Sequence, residues 1–170
     1  MPVGVSAYVA LANITLGSAA SSISFTSIPT TGFRDLVLVM NGQLASNNFI
    51  GLRLNSDSGT NYTIVMMRSN TTTGGESVVE TAATSVYADW SQARSGDRMQ
   101  TIFQVMDYSA TDKHKTVLSR NNYTDITPVQ RVEALASRWA NTSAVTSLTL
   151  VSGTNALATG FTASLYGIAS

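Results

Sequence analysis

The chain has 170 residues, with ten basic and ten acidic side chains, one histidine and no cysteine. That length suffices for one domain burying about 70% of its unfolded surface; the missing thiols exclude cysteine catalysis, cysteine zinc sites and disulfides, and zero net charge argues against a broad nucleic-acid patch. Only 12% of residues are charged, against roughly 25% in an ordinary soluble domain, so the surface resists association weakly and suits a protein held inside an assembly.

Met1 to Ser6 carries neither the basic nor the apolar region of a signal peptide, and no apolar run approaches the roughly 18 residues of a membrane span. The expectation is a soluble, unsecreted product made in the host cytoplasm. Residues 7–16 place Tyr8, Val9, Leu11, Ile14 and Leu16 in a strand or pair of strands. Residues 21–28 then alternate, with Ile23 and Phe25 on one face and Ser22, Ser24 and Thr26 on the other, as a half-buried strand does.

Past a break at Pro29 to Gly32, Leu36-Val37-Leu38-Val39-Met40 is continuously apolar, as in a strand covered on both faces. Residues 49–54 and 62–68 predict a hairpin across the turn-forming Asn55-Ser56-Asp57-Ser58-Gly59-Thr60-Asn61, and Ile64-Val65-Met66-Met67 again reads as doubly covered. Residues 70–77, rich in Thr and Gly, predict a long loop. The signal over residues 78–97 is poor.

Residues 99–108 predict a strand with Thr101, Phe103 and Val105 on one face, joined through the charged bend at Asp112 to Lys115 to a second strand beginning at Thr116. Residues 127–139 are ambiguous. Thr127, Pro128 and Gln130 have the pattern of a helix start, and Val129, Val132, Ala136 and Trp139 recur at helical spacing, whereas a strand puts Leu135 and Trp139 together. Two alternating strands close the chain, with Leu148 and Leu150 inward in one and Phe161, Ala163 and Leu165 inward in the other. Many short strands, frequent turn signals and at most one short helix predict an all-β fold, an antiparallel β-sandwich of the jelly-roll kind, with residues 1–170 as a single domain.

Several residue groups have chemistry to be weighed. Asn55, Asp57, Gly59 and Asn61 alternate as calcium ligands do, but without the later bidentate Glu, and a turn whose side chains cap their own backbone is favoured. His114, between Lys113 and Lys115, has no orienting partner in view and reads as a solvated residue. Carboxylates at Glu76, Glu80, Asp89, Asp107, Asp112, Asp125 and Glu133 are read as turn and edge residues in preference to a catalytic pair. Tyr62, Tyr87, Trp90, Tyr108, Tyr123 and Trp139 could build a sugar-stacking platform, with core packing or subunit contact preferred. Lys113, Lys115, Arg120 and Arg131 suggest only a thin basic edge. No cofactor, metal site or catalytic residue is expected.

Ala12-Asn13-Ile14-Thr15-Leu16, Ser22-Ile23-Ser24-Phe25, Asp35-Leu36-Val37-Leu38-Val39, Leu52-Arg53-Leu54-Asn55 and, above all, the closing Ser164-Leu165-Tyr166-Gly167-Ile168 run resemble a family of small virion structural proteins of tailed, cyanophage-like bacteriophages. The resemblance implies a β-sandwich without catalytic residues, placed on the capsid surface or a tail appendage, and it favours a strand over residues 127–139. A capsid decoration or cement protein is the expectation, binding the major capsid protein and itself as a homotrimer, with no nucleic acid and no membrane. Its candidate subunit contacts lie on the doubly apolar strands: Leu36, Leu38, Met40, Ile64, Met66 and Met67. The alternative is a tail fibre or spike subunit that binds a receptor or a host surface glycan.

Overall fold

A computed structural model of the chain describes residues 7–70, 74–89, 91–153 and 156–169. Among these residues there are twelve strands and no helix: β1 (Tyr8–Thr15), β2 (Ser22–Phe25), β3 (Phe33–Gln43), β4 (Ile50–Leu54), β5 (Tyr62–Asn70), β6 (Gly74–Ala83), β7 (Val86–Tyr87), β8 (Arg98–Met106), β9 (Lys115–Thr124), β10 (Gln130–Trp139), β11 (Leu148–Ser152) and β12 (Thr162–Ala169). They form an eight-stranded sheet ordered β1-β12-β3-β8-β9-β10-β5-β6 and a four-stranded sheet ordered β2-β11-β4-β7. Every pairing is antiparallel. The all-β sandwich expected from the sequence is therefore what the chain forms.

The first four strands of the large sheet, β1-β12-β3-β8, interleave in sequence with β2-β11-β4-β7 of the small one. That connectivity is compatible with a jelly roll widened on its larger sheet by two inserted hairpins. One hairpin, β5 with β6, falls in sequence between the paired strands β4 and β7; the other, β9 with β10, falls between β8 and β11. The inward alternation of each strand supplies the core, with Ile23, Phe25, Leu36, Leu38, Met40, Leu52, Phe103, Leu148, Leu150 and Leu165 all buried.

Three sequence expectations are corrected, and one ambiguity is resolved. Residues 49–54 and 62–68 do not pair with one another: β4 pairs with β11 and β7, and β5 with β10 and β6. Their connection crosses between the sheets, held by Asp57, whose Oδ1 accepts from Gly59 N at 2.8 Å and whose Oδ2 accepts from Asn61 Nδ2 at 2.9 Å and Trp139 Nε1 at 2.7 Å. Turn-forming residues fix a change of direction but not the partner that follows.

Nor are residues 70–77 a long loop, since Asn70 pairs with Gly74 and strand continues from there; 71–73 lie outside the described residues. The helical reading of residues 127–139 gives way to β10, which finds backbone partners on both sides in β9 and β5. Two neighbouring ladders outweigh a local capping pattern. Finally, Ile64 to Met67 is covered on one face only, because Met67 is 66% and Val65 48% exposed while Ile64 and Met66 are buried.

Candidate functional site

Side chains on a strand point alternately to opposite faces, and on the large sheet the two faces differ in kind. On β3, Leu36, Leu38 and Met40 face the core and are fully buried, as are Ile64 and Met66 of β5 to within 1%. Five of the six predicted subunit contacts are thus committed to the chain's own interior, and only Met67 faces out. The outward-facing residues are the intervening ones, Val37, Val39 and Val65 together with Met67, of which Val65 and Met67 are exposed, Val39 is half-buried and Val37 is buried. Apolar runs do not say which alternate set the core takes.

Register shows how the outward residues connect. Val37 lies opposite Gln104, Gln104 opposite Leu118, Leu118 opposite Ala136, Ala136 opposite Val65, and Val65 opposite Val79. One rung therefore crosses from β3 to the β6 edge, and apart from Gln104 it is apolar throughout. A second rung runs Val39, Ile102, Arg120, Ala134, Met67. Small side chains at Ala134 and Ala136 leave the middle low, and the result is a hollow of about 730 Å³.

Tyr8 of the β1 edge lines this hollow together with Val65. Six strand spacings on a flat sheet would put them roughly 29 Å apart, so the sheet curves to bring them around one space. Beyond the hollow, Val79 and Val132 are each 65% exposed on the same outer face. Large contiguous apolar patches are uncommon on the surface of monomeric soluble proteins. Arg120, exposed, has no ion-pair partner among the described residues.

Under the β9–β10 hairpin the inner face mixes polar side chains with the apolar Val117, Leu135 and Trp139. Strand β9 turns Lys115, Ser119, Asn121 and Tyr123 inward, and β10 turns Glu133 inward, all buried. Loop backbone, whose polar groups require partners, meets Lys115, Asn121 and Tyr123. Asn121 Nδ2 donates to Ala88 O at 2.5 Å and to Glu133 Oε2 at 3.1 Å, Tyr123 Oη donates to Glu133 Oε1 at 2.7 Å, and Ser91 N donates to Tyr123 Oη at 3.0 Å. Asp89, fully buried, accepts from Ile50 N at 2.7 Å and Ala93 N at 3.0 Å. Burial pushes its carboxyl well above the usual range and the Glu133 charge adds to that, while the two N–H donors pull the other way.

Both of these acids are buried, and the Glu133 charge is felt at Asp89. Asp125 instead holds a turn, Asp107 pairs with Lys113, Glu76 pairs with Arg68, and Glu80 takes the hydroxyl of Tyr87. His114 is exposed in the β8–β9 bend. Lys115 is no part of a basic edge, being fully buried with its ammonium on three carbonyls. Of the aromatic set, Tyr62, Tyr108, Tyr123 and Trp139 are core, Tyr87 is half-buried at the small sheet, and Trp90 lies outside the described residues. At Asn55 to Asn61 both oxygens of Asp57 are taken by N–H donors, so the turn reading stands there. Among the described residues no group of three His, Cys, Asp or Glu side chains is placed to hold a metal ion.

What fold and site define is a class: an all-β sandwich with an apolar outer face. No family model matches the chain, and no curated protein does. Among solved structures, an alginate lyase in complex with an alginate tetrasaccharide aligns over 96% of this chain and 97% of its own at 8% identity, with a TM-score of 0.32. Another structure of the lyase aligns over 91% of this chain and 78% of its own at 8% identity, with a TM-score of 0.34. Likeness at that level assigns neither site nor activity here.

Proposed function

We propose that this chain is a non-enzymatic virion structural protein, a capsid decoration protein of a tailed phage that seats the outer face of its large sheet on the major capsid lattice. The observation that carries the reading is the apolar rung from Val37 to Val79, on a chain with 12% charged residues. Burying such a face against a partner is favourable by about 25 cal/mol per Å² of apolar surface, and repetition over a lattice multiplies a modest interface. Copies associate as homotrimers at threefold positions, where closed symmetry leaves no unsatisfied surface to propagate.

The reading is tested on purified particles. It requires copies on the order of hundreds per particle, as repeated lattice sites demand. A handful of copies per particle would replace it with the tail-subunit alternative, and absence from particles would overturn both.

A further inference from the structure

Where the outer face of the small sheet meets the β6 edge of the large one there is a second and chemically different surface. It is a cleft of about 660 Å³, within the size range of small-molecule sites. Gly51 lines it, lying by register between Val151 of β11 and Tyr87 of β7. Only glycine fits there, because a Cβ would come within 2.3 Å of Ser85 Oγ. One rim is equally fixed: Asn48 packs so closely on Gly153 that a Cβ at 153 would meet its Nδ2 at 1.9 Å.

Two charged side chains line the cleft, and each is anchored by one atom. Arg53 donates from Nε to Thr84 O at 3.2 Å, and its terminal nitrogens have no hydrogen-bond partner among the described residues. Glu80 accepts from Tyr87 Oη at 2.8 Å on Oε1 alone. Although they share the cleft, the two form no ion pair with each other. A held donor fork and a held acceptor of opposite charge, kept apart, match a ligand that presents acceptors and donors together with no net charge. Vicinal hydroxyls do so: their oxygens accept from a guanidinium and their protons go to a carboxylate. Phe49, at 44% exposure on the rim, offers an apolar plane to the C–H face of a ring.

We propose that this cleft is a binding site for a neutral saccharide, held by Arg53 and Glu80 beside Gly51 with Phe49 against one ring face. The proposal stands on the cleft alone and is independent of whether the chain belongs to a virion.

The test is titration of the isotopically labelled 170-residue chain with maltotriose, cellotriose, diacetylchitobiose and, as the charged control, trigalacturonate, followed by amide chemical shifts. At least one neutral probe is expected to shift Gly51, Arg53, Tyr87 and Val151 with millimolar affinity. Glu80→Gln and Arg53→Met should each weaken it about tenfold, as loss of a charge-assisted hydrogen bond does, with shifts elsewhere unchanged. Should either variant fail to fold, Ser22→Trp, placed on the exposed rim, is expected to block binding by filling the cleft. No shift with any neutral probe, shifts indifferent to all of these variants, or binding of trigalacturonate alone would each overturn the proposal.

Discussion

Lys115 is fully buried, yet its Nζ donates to Ala110 O at 2.6 Å, Lys113 O at 3.0 Å and Thr142 O at 3.2 Å. One ammonium thereby ties the β8–β9 bend to the segment after β10. Burial draws its pKa down, but three carbonyls keep the charge hydrogen-bonded, which is what makes a buried cation tolerable. Lys115→Met strands those carbonyls and should cost about 2–4 kcal/mol in chemical denaturation. The sequence concealed this role: Asp112 to Lys115 reads as a solvated bend, and only the alternation Lys115, Val117, Ser119, Asn121, Tyr123 places the lysine on an inward face.

Asp125 works by the opposite sign. Burial disfavours its ionised form, but donors from Thr127, Arg131 and Val129 outweigh that and hold its pKa down at about 2. Its unfolded value is about 3.9, so the stabilisation is fully present above pH of about 4 and is lost as pH falls through about 2, amounting to about 2 kcal/mol. Asp57, held chiefly by Trp139 Nε1–H, and Asp35, whose burial is outweighed by Asp107 N–H and Gln104, are lowered in the same direction. Thermal melts from pH 6 to pH 2 should show the loss setting in below about pH 4, and Asp125→Ala should flatten that slope.

At the scale of an element, β5 puts the two faces of the large sheet side by side in sequence. Ile64→Ala or Met66→Ala opens the core and should cost about 2–5 kcal/mol. Val65→Glu with Met67→Glu touches only the outer face and should leave the melting free energy within about 1 kcal/mol of the parent, while reducing binding to undecorated capsids at least tenfold. Equal damage to stability from both pairs would show that the outer face is not a free surface. The strand itself was legible from its apolar, β-branched composition. Its face was not, because Ile64-Val65-Met66-Met67 is apolar at every position and only the partners in β10 and β6 select which pair turns inward. Strand β10 taught the converse: Thr127 to Gln130 has a helix-start pattern, and the Thr127 N–H and hydroxyl instead both go to Asp125 Oδ1, at 2.8 and 2.6 Å.

Across the whole molecule, the sandwich with its inward sets at Ile23, Phe103, Leu148 and Leu165 could be read from alternation, since those strands each have one wet face. The widening of the large sheet could not, because nothing local marks β5–β6 and β9–β10 as insertions. Yet those hairpins supply Val65, Met67, Val79, Leu118 and Val132, which are most of the large exposed apolar side chains. The saccharide cleft lies where the small sheet meets the β6 edge of the large one, so Glu80 of the cleft and Val79 of the apolar face are neighbours on one strand with side chains turned to opposite faces.

The position of β12 between β1 and β3 has a kinetic corollary. Asn13 and Ser164 meet across 151 positions of chain, so the earliest strand finds its neighbour only when the last one has been translated. Until then Leu36, Leu38 and Met40 lack half their ladder and stay sticky. Non-local closure of that sort slows collapse to the native state and lengthens exposure to off-pathway clumping. Stopped-flow refolding should accordingly fall in the millisecond-to-second regime of high-contact-order β proteins, and overexpression at reduced temperature should raise the soluble yield.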